Sequence, residues 1–437
     1  MSMTTLDRDR LTARASGPLA GVIDIPGDKS MSHRALILAG MASGETRING
    51  LLEADDVLRT AAAVAALGAE VERSGAGEWR VVGAEWRSPA APIDCGNSGT
   101  GARLLMGAVA GMPIEVTFTG DASLSRRPMS RVLDPLRTMG ARVASAEGGR
   151  MPVTIHGGAL GGIRFVNEKA SAQVKSAILL AGLRADGAVE VIEPKATRDH
   201  SENMLRAFGC DVESDGELIR LGERRALTAV DVAIPADPSS AAFPLVAALI
   251  CPGSYVTTRA VMLNSLRTGL LTTLVEMGAE IELTNRRMVG GEEVADIVAR
   301  ASPLHGVEVP AARSASMIDE YPILAVAAAF AHGRSTMHGL AELRVKESDR
   351  LAAIIAGLTA CGVEAREEGD SLIVEGTGKP PCGGATIDAN HDHRIAMSFL
   401  VLGLASEQPA GVTGAETIAT SFPGFTELMS SLGARIS

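Results

Sequence analysis

Lysine and arginine side chains recur beside turns that open apolar helices, a pattern suited to binding anions. The first such phrase is GDKSMSHR at residues 27–34, directly before the apolar run 35–39. Lys29, Ser30 and Arg34 therefore stand in or beside the first turns of a predicted helix, where free backbone N–H groups and the helix dipole favour an anion. A phosphate or a carboxylate fits there, and an ordinary helix start is the alternative. The spacing is not that of a nucleotide-binding P-loop, which argues against a kinase.

A second phrase, DCGNSGTGAR at residues 94–103, has the same design. Its glycines form a turn before the apolar run 104–110. Asn97, Gly99 and Thr100 can present backbone or side-chain donors to an anion, and a plain glycine-rich turn is the alternative. The glycine spacing does not match the dinucleotide fingerprint G-x-G-x-x-G, so a nucleotide cofactor is not expected.

Three further polar phrases contain residues that could complete such a site. Arg127, in GDASLSRRPM, can hold a carboxylate or a phosphate through two parallel N–H bonds, which a lysine cannot do. Taken alone, Arg126 and Arg127 also fit a solvated surface pair. The same ambiguity applies to SAQVKS at 171–176, which starts an apolar helix, and to TRDH at 197–200.

The second half of the chain combines acids with bases. Asp319 stands at the predicted start of an apolar helix, where an ordinary capping role is the alternative to chemistry. The phrase LRVKESDR adds Lys346, Glu347 and Arg350, and on a helix the lysine and the arginine would lie one turn apart and face one ligand. Glu347 among these cations is a candidate proton carrier, and a solvated charged face is the alternative.

Histidines and cysteines give little indication of a metal. His391 and His393 flank Asp392 in the phrase HDHR, which ends at Arg394, but two residues apart at a helix start the imidazoles should diverge. No metal is therefore expected. The cysteines contain no C-x-x-C pair, so buried free thiols are expected rather than a disulfide framework or a zinc site. They stand at positions 95, 210, 251, 361 and 382.

A sixfold repeat positions these phrases. Six times an apolar helical run ends in an apolar residue, Gly, a small residue, any residue and an apolar residue. Glycine can adopt the left-handed conformation that ends a helix, and the residues after it suit a strand. Hairpins are predicted after two of the phrases, at 141–156 and 363–375. The even spacing favours repeated α/β units over unrelated helix–strand junctions. The phrases are LGAEV, MGARV, FGCDV, MGAEI, CGVEA and LGARI, with glycines at 68, 140, 209, 278, 362 and 433.

Six repeats over 437 residues predict an α/β protein of two domains with three repeats each. The last phrase ends at Ile436, so the N-terminal strand is expected to complete the final domain. The basic phrases would line the cleft between the domains. The predicted domains are 28–235 and 1–27 plus 236–437, with hinges near Pro26-Gly27 and between Pro235 and Pro238, where prolines and glycine interrupt the pattern.

Composition narrows the possible partners. The formal charge of -11 argues against nucleic acid and anionic membranes as general partners, because either needs a broad excess of lysine and arginine. The N-terminal segment 1–17 is polar and contains acids, unlike a secretory signal or a transit peptide. The apolar runs 243–250 and 323–330 are shorter than the about 20 residues needed to cross a bilayer. A cytoplasmic enzyme with small anionic substrates is the expectation.

Taken together, the phrases resemble the enolpyruvyl transferase family, most closely its members that act on shikimate 3-phosphate. GDKSMSHRA, GNSGTGARLL, GDASLSRRPM, SAQVKSA, IDEYPI, LRVKESDR and DHRIAMSF occur in the family's order between Gly27 and Phe422. The resemblance implies two domains of three βαβαββ-like units, an inside-out α/β barrel that closes on substrate. It also implies a monomer of the shikimate pathway to aromatic amino acids that needs no metal or organic cofactor.

The reaction implied by the resemblance is transfer of the enolpyruvyl group of phosphoenolpyruvate to the 5-hydroxyl of shikimate 3-phosphate, with release of phosphate. Asp319 is the implied base, and Glu347 with Lys29 the implied acid; their roles can reverse as the tetrahedral intermediate collapses. The residues implied for phosphoenolpyruvate are Lys29, Asn97, Gly99, Thr100, Arg127, Gln173, Arg350 and Arg394. Those implied for shikimate 3-phosphate are Lys29, Ser30, Arg34, Ser171, Ala172, Gln173, Arg198, Asp319 and Lys346.

The sequence departs from one branch of the family, in which a lysine near the C-terminus also contacts phosphoenolpyruvate; here the residues at 419–422 are ATSF. The motifs are closer to the second branch. Some of its members have alanine in place of Gly99, a methyl that crowds the inhibitor glyphosate, so we expect this chain to be glyphosate-sensitive.

Two alternative functions fit the same fold. A sister family uses UDP-N-acetylglucosamine as acceptor and has a cysteine on the loop where this chain has Ala122. A non-catalytic anion-binding protein would need no acids among its bases, so Asp319 and Glu347 argue against it.

Overall fold

The computed structural model describes residues 10–437; residues 1–9, at the start of the polar N-terminal segment, lie outside the described residues. The chain divides into two compact units. The first unit comprises residues 27–234, and the described part of the second comprises residues 10–26 and 235–437. Among residues 10–437, no helix is both long and apolar enough to cross a bilayer.

Short strands form six sheets of four strands each in the described part of the chain. The strands are β1 (Arg10–Arg14), β2 (Ala20–Asp24), β3 (Glu45–Asn49), β4 (Glu70–Gly75), β5 (Glu78–Val82), β6 (Ile93–Asp94), β7 (Glu115–Thr119), β8 (Arg142–Ala146), β9 (Arg150–His156), β10 (Leu160–Val166), β11 (Ala185–Ile192), β12 (Val212–Asp215), β13 (Leu218–Leu221), β14 (Val232–Ala233), β15 (Tyr255–Met262), β16 (Glu280–Val289), β17 (Glu292–Arg300), β18 (Glu308–Val309), β19 (His332–Met337), β20 (Glu364–Glu368), β21 (Ser371–Thr377), β22 (Thr386–Asp388), β23 (Ala410–Thr413) and β24 (Arg435–Ile436).

Helices connect most of these strands, and short 3₁₀ turns occupy 311–316, 341–345 and 415–420. The α-helices are α1 (Lys29–Met41), α2 (Asp55–Leu67), α3 (Gly99–Ala110), α4 (Ala122–Arg126), α5 (Ser130–Met139), α6 (Ala172–Gly182), α7 (His200–Ala207), α8 (Pro238–Ile250), α9 (Gly269–Glu276), α10 (Tyr321–Phe330), α11 (Arg350–Ala360), α12 (His393–Gly403) and α13 (Phe425–Ser431).

All six sheets share one pattern of strand directions. The first strand of each is parallel to the second, and the other two pairings are antiparallel. The chain is therefore built from βαβαββ-like repeats, as predicted, and none of these six sheets closes into a barrel. The strand orders are β14-β3-β5-β4, β6-β7-β9-β8 and β10-β11-β13-β12 in the first unit, and β2-β15-β17-β16, β18-β19-β21-β20 and β22-β23-β1-β24 in the second.

The six glycines of the repeat phrases end helices in the predicted way. Their φ angles lie between 81° and 123°, in the region where a side chain is disfavoured. Each glycine precedes the edge strand that closes its sheet: β4, β8, β12, β16, β20 or β24. The predicted hairpins are present as β8–β9 and β20–β21. Both predictions are confirmed.

The N-terminal strand completes the last sheet, also as predicted. β1 pairs antiparallel with β23, with Arg10 opposite Thr413, and with β24, with Ala13 opposite Ile436. In the first unit, β14 comes from the end of the unit and runs parallel to β3 as the edge strand of the first sheet. The first and last repeats thus each take one strand from a distant part of the chain.

One apolar helix of each repeat is buried in its unit. These helices are α1, α3 and α6 in the first unit and α8, α10 and α12 in the second; every residue of α8 and α12 is buried. A helix that is apolar on all sides is expected in a core. α3 and α6 approach so closely that a Cβ on Gly107 would lie 2.5 Å from the Cα of Ala177. Phrases that the sequence analysis singled out lie where five of these six helices begin, namely α1, α3, α6, α10 and α12.

Candidate active site

The start of α1 presents the first predicted cation. Asp28 caps the helix, since its side chain accepts a hydrogen bond from the N–H of Met31 at 2.8 Å. Lys29 is the first helical residue, and its Nζ lies 3.1 Å from Oδ2 of Asp56, which is almost buried on α2. The ammonium is therefore held in place by a carboxylate that the sequence analysis did not single out.

Arg34, one turn further along α1, is buried and joins three elements of the first unit. Its Nε donates to Oγ of Ser201 at 2.8 Å and its Nη2 to Oγ of Ser176 at 2.7 Å. Its Nη1 donates to the carbonyl of Ser30 at 2.8 Å. This side chain fixes the start of α1 against α6 and α7, and its contact with a substrate remains a prediction.

Arg127 is buried, so the surface-pair alternative is wrong for this residue, whereas Arg126 is exposed. Nη2 of Arg127 donates to Oδ1 of Asn97 at 2.5 Å and to Oγ of Ser123 at 3.1 Å. Nδ2 of Asn97 in turn donates to Oδ2 of Asp121 at 2.7 Å. The guanidinium is thus fixed beside the turn that opens α3.

Gln173 connects the start of α6 to the start of α3. Its Nε2 donates to Oγ1 of Thr100 at 2.8 Å, and its Oε1 accepts from Nη1 of Arg103 at 2.8 Å. Nη1 of Arg103 also donates to the carbonyl of Gly99 at 3.2 Å. Arg103, the last residue of the phrase DCGNSGTGAR, is therefore part of this cluster, although the sequence analysis assigned it no role.

Ser171, Ala172 and Arg198 lie at the ends of two neighbouring segments. Ser171 caps α6 by accepting from the N–H of Val174 at 3.4 Å, and the carbonyl of Ala172 accepts from Oγ of Ser176 at 2.6 Å. Arg198 lies between β11 and α7, two residues before that helix begins. Ser171 thus has the local structure expected from its helix-start sequence.

In the second unit, Asp319 lies between two cations. Its Oδ1 is 3.0 Å from Nη1 of Arg350 and 3.1 Å from Nζ of Lys346. Glu320, not Asp319, occupies the residue before α10, and no side chain caps that helix. The ordinary capping alternative for Asp319 is therefore wrong, and its carboxylate is held by two cations instead.

The predicted helix through LRVKESDR is only partly present. Residues 341–345 form a 3₁₀ turn and α11 begins at Arg350, because Asp349 accepts from the N–H of Ala352 and starts the helix there. Lys346 therefore lies outside any helix. Lys346 and Arg350 both contact Asp319 instead of lying one helical turn apart, and their binding of one ligand stays a prediction.

Arg350 is fully buried among three carboxylates. Nε lies 2.7 Å from Oδ2 of Asp392, and Nη2 lies 2.6 Å from Oε2 of Glu347, beside the contact with Asp319. Burial alone would lower the pKa of Arg350, but Asp392, Glu347 and Asp319 hold it above its usual value. The guanidinium is a permanent charge that fixes both candidate proton carriers.

Asp392 binds a cation and caps a helix. Its Oδ1 accepts from the N–H of Arg394 at 3.0 Å and thereby caps α12, and its Oδ2 accepts from Ser348 and Arg350. Nη1 of Arg394 donates to the carbonyl of Asp319 at 3.1 Å and lies 3.5 Å from Oε1 of the buried Glu320. Arg394 is thus connected to the Asp319 cluster.

His33 gives the first unit a testable dependence on pH. Burial, then Lys29 and Arg34, lower the pKa of His33 to about 3. In the unfolded chain the pKa of this histidine is about 6.5, so the unfolded state is protonated first as the pH falls. The stability that the neutral, buried imidazole contributes above pH 6.5 is therefore lost as the pH falls towards 3. When the pH falls from 6.5 to 5, the free energy of unfolding of the first unit should therefore decrease by about 1.5 kcal/mol more in the wild type than in the His33→Asn variant.

Urea unfolding followed by tryptophan fluorescence measures this difference, since Trp79 and Trp86 both lie in the first unit. Titration of the carboxyl groups affects both proteins alike and cancels in the comparison. Parallel stability curves for the wild type and His33→Asn would contradict the expected effect.

The site residues thus form two groups, one in each unit. The first contains cations and helix-start donors at α1, α3 and α6, and the second places carboxylates and cations together before α10, α11 and α12. Cations and N–H donors suit phosphate and carboxylate groups, while carboxylates among them can exchange protons. The first group is therefore suited to binding an anionic group, and the second can in addition exchange protons with a substrate.

Comparison with known proteins agrees with this chemistry. The model of the EPSP synthase (3-phosphoshikimate 1-carboxyvinyltransferase) family matches residues 13–429. A 3-phosphoshikimate 1-carboxyvinyltransferase from Methylorubrum populi is 58% identical over 98% of this chain and 97% of its own. The crystallised EPSP synthase from Acinetobacter baumannii has a TM-score of 0.86 and 42% identity, covering 98% of this chain and 99% of its own.

A more distant structure shares the fold. The enolpyruvyl transferase NikO from Streptomyces tendae superimposes with a TM-score of 0.78 at 20% identity, covering 98% of both chains. The repeated α/β architecture is therefore common to enolpyruvyl transferases with different sequences. Full-length similarity at high identity is more specific, and it shows that this chain belongs to the EPSP synthase (3-phosphoshikimate 1-carboxyvinyltransferase) family.

Proposed function

We propose that this protein transfers the enolpyruvyl group of phosphoenolpyruvate to the 5-hydroxyl of shikimate 3-phosphate and releases phosphate. The observation that supports this most directly is the position of Asp319, whose carboxylate lies 3.0 Å from Arg350 and 3.1 Å from Lys346. A carboxylate beside two cations can accept a proton from the attacking hydroxyl, a step that anion binding alone would not require. Family membership over nearly the whole chain supports the same substrates.

The substrates are assigned to residues of both units. Arg127 and Arg350, both buried and fixed by hydrogen bonds, would hold the charged groups of phosphoenolpyruvate together with Lys29, Arg394 and the turn at Gly99. Because the two groups of residues belong to different units, this assignment requires the cleft predicted from the sequence. Shikimate 3-phosphate would meet Ser30, Arg34, Ser171, Ala172, Gln173, Arg198, Asp319 and Lys346.

Proton transfer is assigned to three residues. The methylene carbon of phosphoenolpyruvate must gain a proton and the attacking hydroxyl must lose one, so addition needs an acid and a base. Asp319 is proposed as the base and Glu347, with Lys29, as the acid. Arg350 contacts both carboxylates and so fixes their positions. When phosphate leaves the tetrahedral adduct, the methyl group gives up a proton to the protein and becomes the methylene of the product. The whole transfer therefore balances without a redox step.

The oligomeric state, cellular location and partners of the protein are part of the same proposal. We propose a monomer that works in the cytoplasm on small molecules, with no nucleic-acid or membrane partner, which the net charge of -11 supports. Light scattering coupled to gel filtration would test the monomer: a mass near 45.1 kDa is expected, and a dimer would contradict it.

The test of the reaction is phosphate release from phosphoenolpyruvate by the purified protein, comparing shikimate 3-phosphate with UDP-N-acetylglucosamine as acceptor. Release is expected only with shikimate 3-phosphate. Release with UDP-N-acetylglucosamine alone would assign the chain to the sister activity. Release with neither acceptor would contradict the proposed reaction.

Gly99→Ala tests the proposed phosphoenolpyruvate site through the inhibitor glyphosate. The new methyl would lie 2.8 Å from Nη1 of Arg103 and 3.1 Å from Nη1 of Arg127, so both guanidinium groups must shift. One methyl in a tight pocket discriminates by about tenfold or more. We expect the wild type to be glyphosate-sensitive, and the inhibition constant to rise at least about tenfold in Gly99→Ala.

The Michaelis constant for phosphoenolpyruvate should rise less than the inhibition constant. Gly158→Ala is the matched control, because a Cβ there meets no atom within 4 Å and should change neither constant. Unchanged turnover of the wild type at high glyphosate would contradict the prediction, as would equal effects of the two substitutions.

A further inference from the structure

The ends of β10 and β11 place two buried polar side chains next to each other. The strands are parallel and end side by side, with Val166 opposite Ile192. The next residues are Asn167 and Glu193, which are 2% and 4% exposed. Nδ2 of Asn167 donates to Oε1 of Glu193 at 2.7 Å, and its backbone N–H donates to the carbonyl of Ile192 at 2.8 Å. The pair is therefore fixed by both backbone and side chain.

Asn167 connects this pair to the start of α6. Its Nδ2 also donates to the carbonyl of Ser171 at 3.1 Å, and its Oδ1 accepts from the N–H of Ser171 at 3.2 Å. The amide thus closes the turn 167–171 from both sides. Ser171 is assigned to the acceptor in the proposed function, and this turn decides where its side chain lies.

Glu193 connects the same pair to the segment before α7. Its Oε1 accepts from Oγ1 of Thr197 at 2.7 Å, and its Oε2 accepts from the N–H of Thr197 at 3.2 Å. The loop from 193 to 197 is therefore closed around one carboxylate. Arg198, also assigned to the acceptor, is the next residue along the chain.

Lys175 neutralises the carboxylate at the centre of these bonds. Its side chain is 1% exposed, and its Nζ lies 2.8 Å from Oε2 of Glu193 and 2.6 Å from Oε1 of Glu202. Nζ also donates to the carbonyl of Thr197 at 3.4 Å. Burial raises the pKa of Glu202, against the opposing effect of Lys175. Buried ion pairs are weak evidence for stability as such, which favours a role in fixing geometry.

We propose that Glu193, with Asn167 and Lys175, is a positioning residue for the acceptor, holding Ser171 and Arg198 at a fixed separation. None of these three side chains is assigned to a substrate. Their hydrogen bonds lead to the two segments that carry Ser171 and Arg198. The inference rests on the proposed function, since it takes shikimate 3-phosphate as the molecule that both segments contact.

Two matched substitutions test the proposal. In Glu193→Gln one of the two side-chain oxygens becomes an NH₂ group, which cannot accept from Thr197, Asn167 or Lys175. Glu202→Gln keeps the oxygen that Lys175 contacts, and Oε2 of Glu202 has no hydrogen-bond partner to lose. The dissociation constant for shikimate 3-phosphate, measured by calorimetry, should rise at least about tenfold in Glu193→Gln and less than about threefold in Glu202→Gln.

A milder pair guards against a variant that fails to fold. Thr197→Val removes the hydroxyl bond to Glu193 at nearly constant volume, and Thr197→Ser retains a hydroxyl there. Thr197→Val should weaken shikimate 3-phosphate binding and speed hydrogen exchange of the amides at 195–199, while Thr197→Ser should keep both near the wild-type values. The Michaelis constant for phosphoenolpyruvate should change less than about threefold, which a general loss of structure would not allow.

Three outcomes would overturn the positioning role. They are unchanged affinity for shikimate 3-phosphate in Glu193→Gln, equal losses of affinity in Glu193→Gln and Glu202→Gln, and unchanged amide exchange at 195–199 in Thr197→Val. A wild type that binds no shikimate 3-phosphate would overturn the proposed function and the positioning role together. A wild type that binds and turns over, with an unaffected Glu193→Gln variant, would overturn only the latter.

Discussion

Replacing Asp319 with asparagine should reduce the turnover number by about 10²–10⁴-fold while both substrates still bind. The amide oxygen can still accept hydrogen bonds from Arg350 and Lys346, which lie 3.0 and 3.1 Å from Oδ1 in the wild type. What is lost is the capacity to take a proton from the attacking hydroxyl. Steady-state phosphate release gives the turnover number, and calorimetry with shikimate 3-phosphate gives the binding.

Asp349→Asn is the matched control for this experiment. Asp349 stands in the phrase LRVKESDR with Lys346 and Arg350, but it caps α11 and pairs with Arg344 at the surface, and asparagine caps a helix equally well. The control should therefore keep its turnover number. If the Asp319→Asn variant had the wild-type turnover number, Asp319 would have no place in the proposed mechanism. If the variant no longer bound shikimate 3-phosphate, the role of Asp319 would be purely electrostatic.

Replacing Arg350 with methionine should destabilise the second unit by about 3–5 kcal/mol, because three carboxylates would be left around an apolar side chain. Asp392 is completely buried and Arg350 is 1% exposed, so water cannot easily take the place of the lost guanidinium. For a unit of this size the loss corresponds to a fall of roughly 6–20 °C in Tm. Activity should also disappear, since the same guanidinium is assigned to phosphoenolpyruvate.

Differential scanning calorimetry measures the transition of the second unit, and tryptophan fluorescence follows the first unit, which holds both tryptophans. The fluorescence transition should be unchanged. Arg344→Met is the matched control, because Arg344 also pairs with two carboxylates, Asp349 and Glu367, but at the surface. Equal changes in Tm for the two variants would show that burial of Arg350 does not decide its contribution.

The repeat was predictable because it depends on local chemistry. A glycine at the end of each helix and an alternating strand after it are short-range patterns, and all six glycines have the positive φ that the pattern requires. The helix-start phrases were predictable for the same reason, since Asp28, Ser171 and Asp392 cap their helices with their own side chains.

Long-range contacts were not predictable in this way. Arg126 and Arg127 are identical in type and adjacent, yet only Arg127 is buried, because the turn at Asn97 accepts its hydrogen bonds. Lys346 was expected to meet Arg350 through helical spacing, whereas they meet through Asp319, distant in the chain. Lys175 belongs to a predicted phrase, but its partners Glu193 and Glu202 come from later elements.

The pairing of strand β1 determines the order in which the two units can fold during translation. β1 is translated before its pairing partners β23 and β24, which follow it by about 400 residues or more, with Arg10 opposite Thr413 and Ala13 opposite Ile436. The first unit lies between β1 and β23 in the sequence, and all its strands have been translated by residue 234. It can therefore fold on the ribosome while β1 is still unpaired. An unpaired strand invites association with other chains, and long-range pairing is slow. Folding of the second unit should therefore be the step at which a growing chain depends most on chaperones.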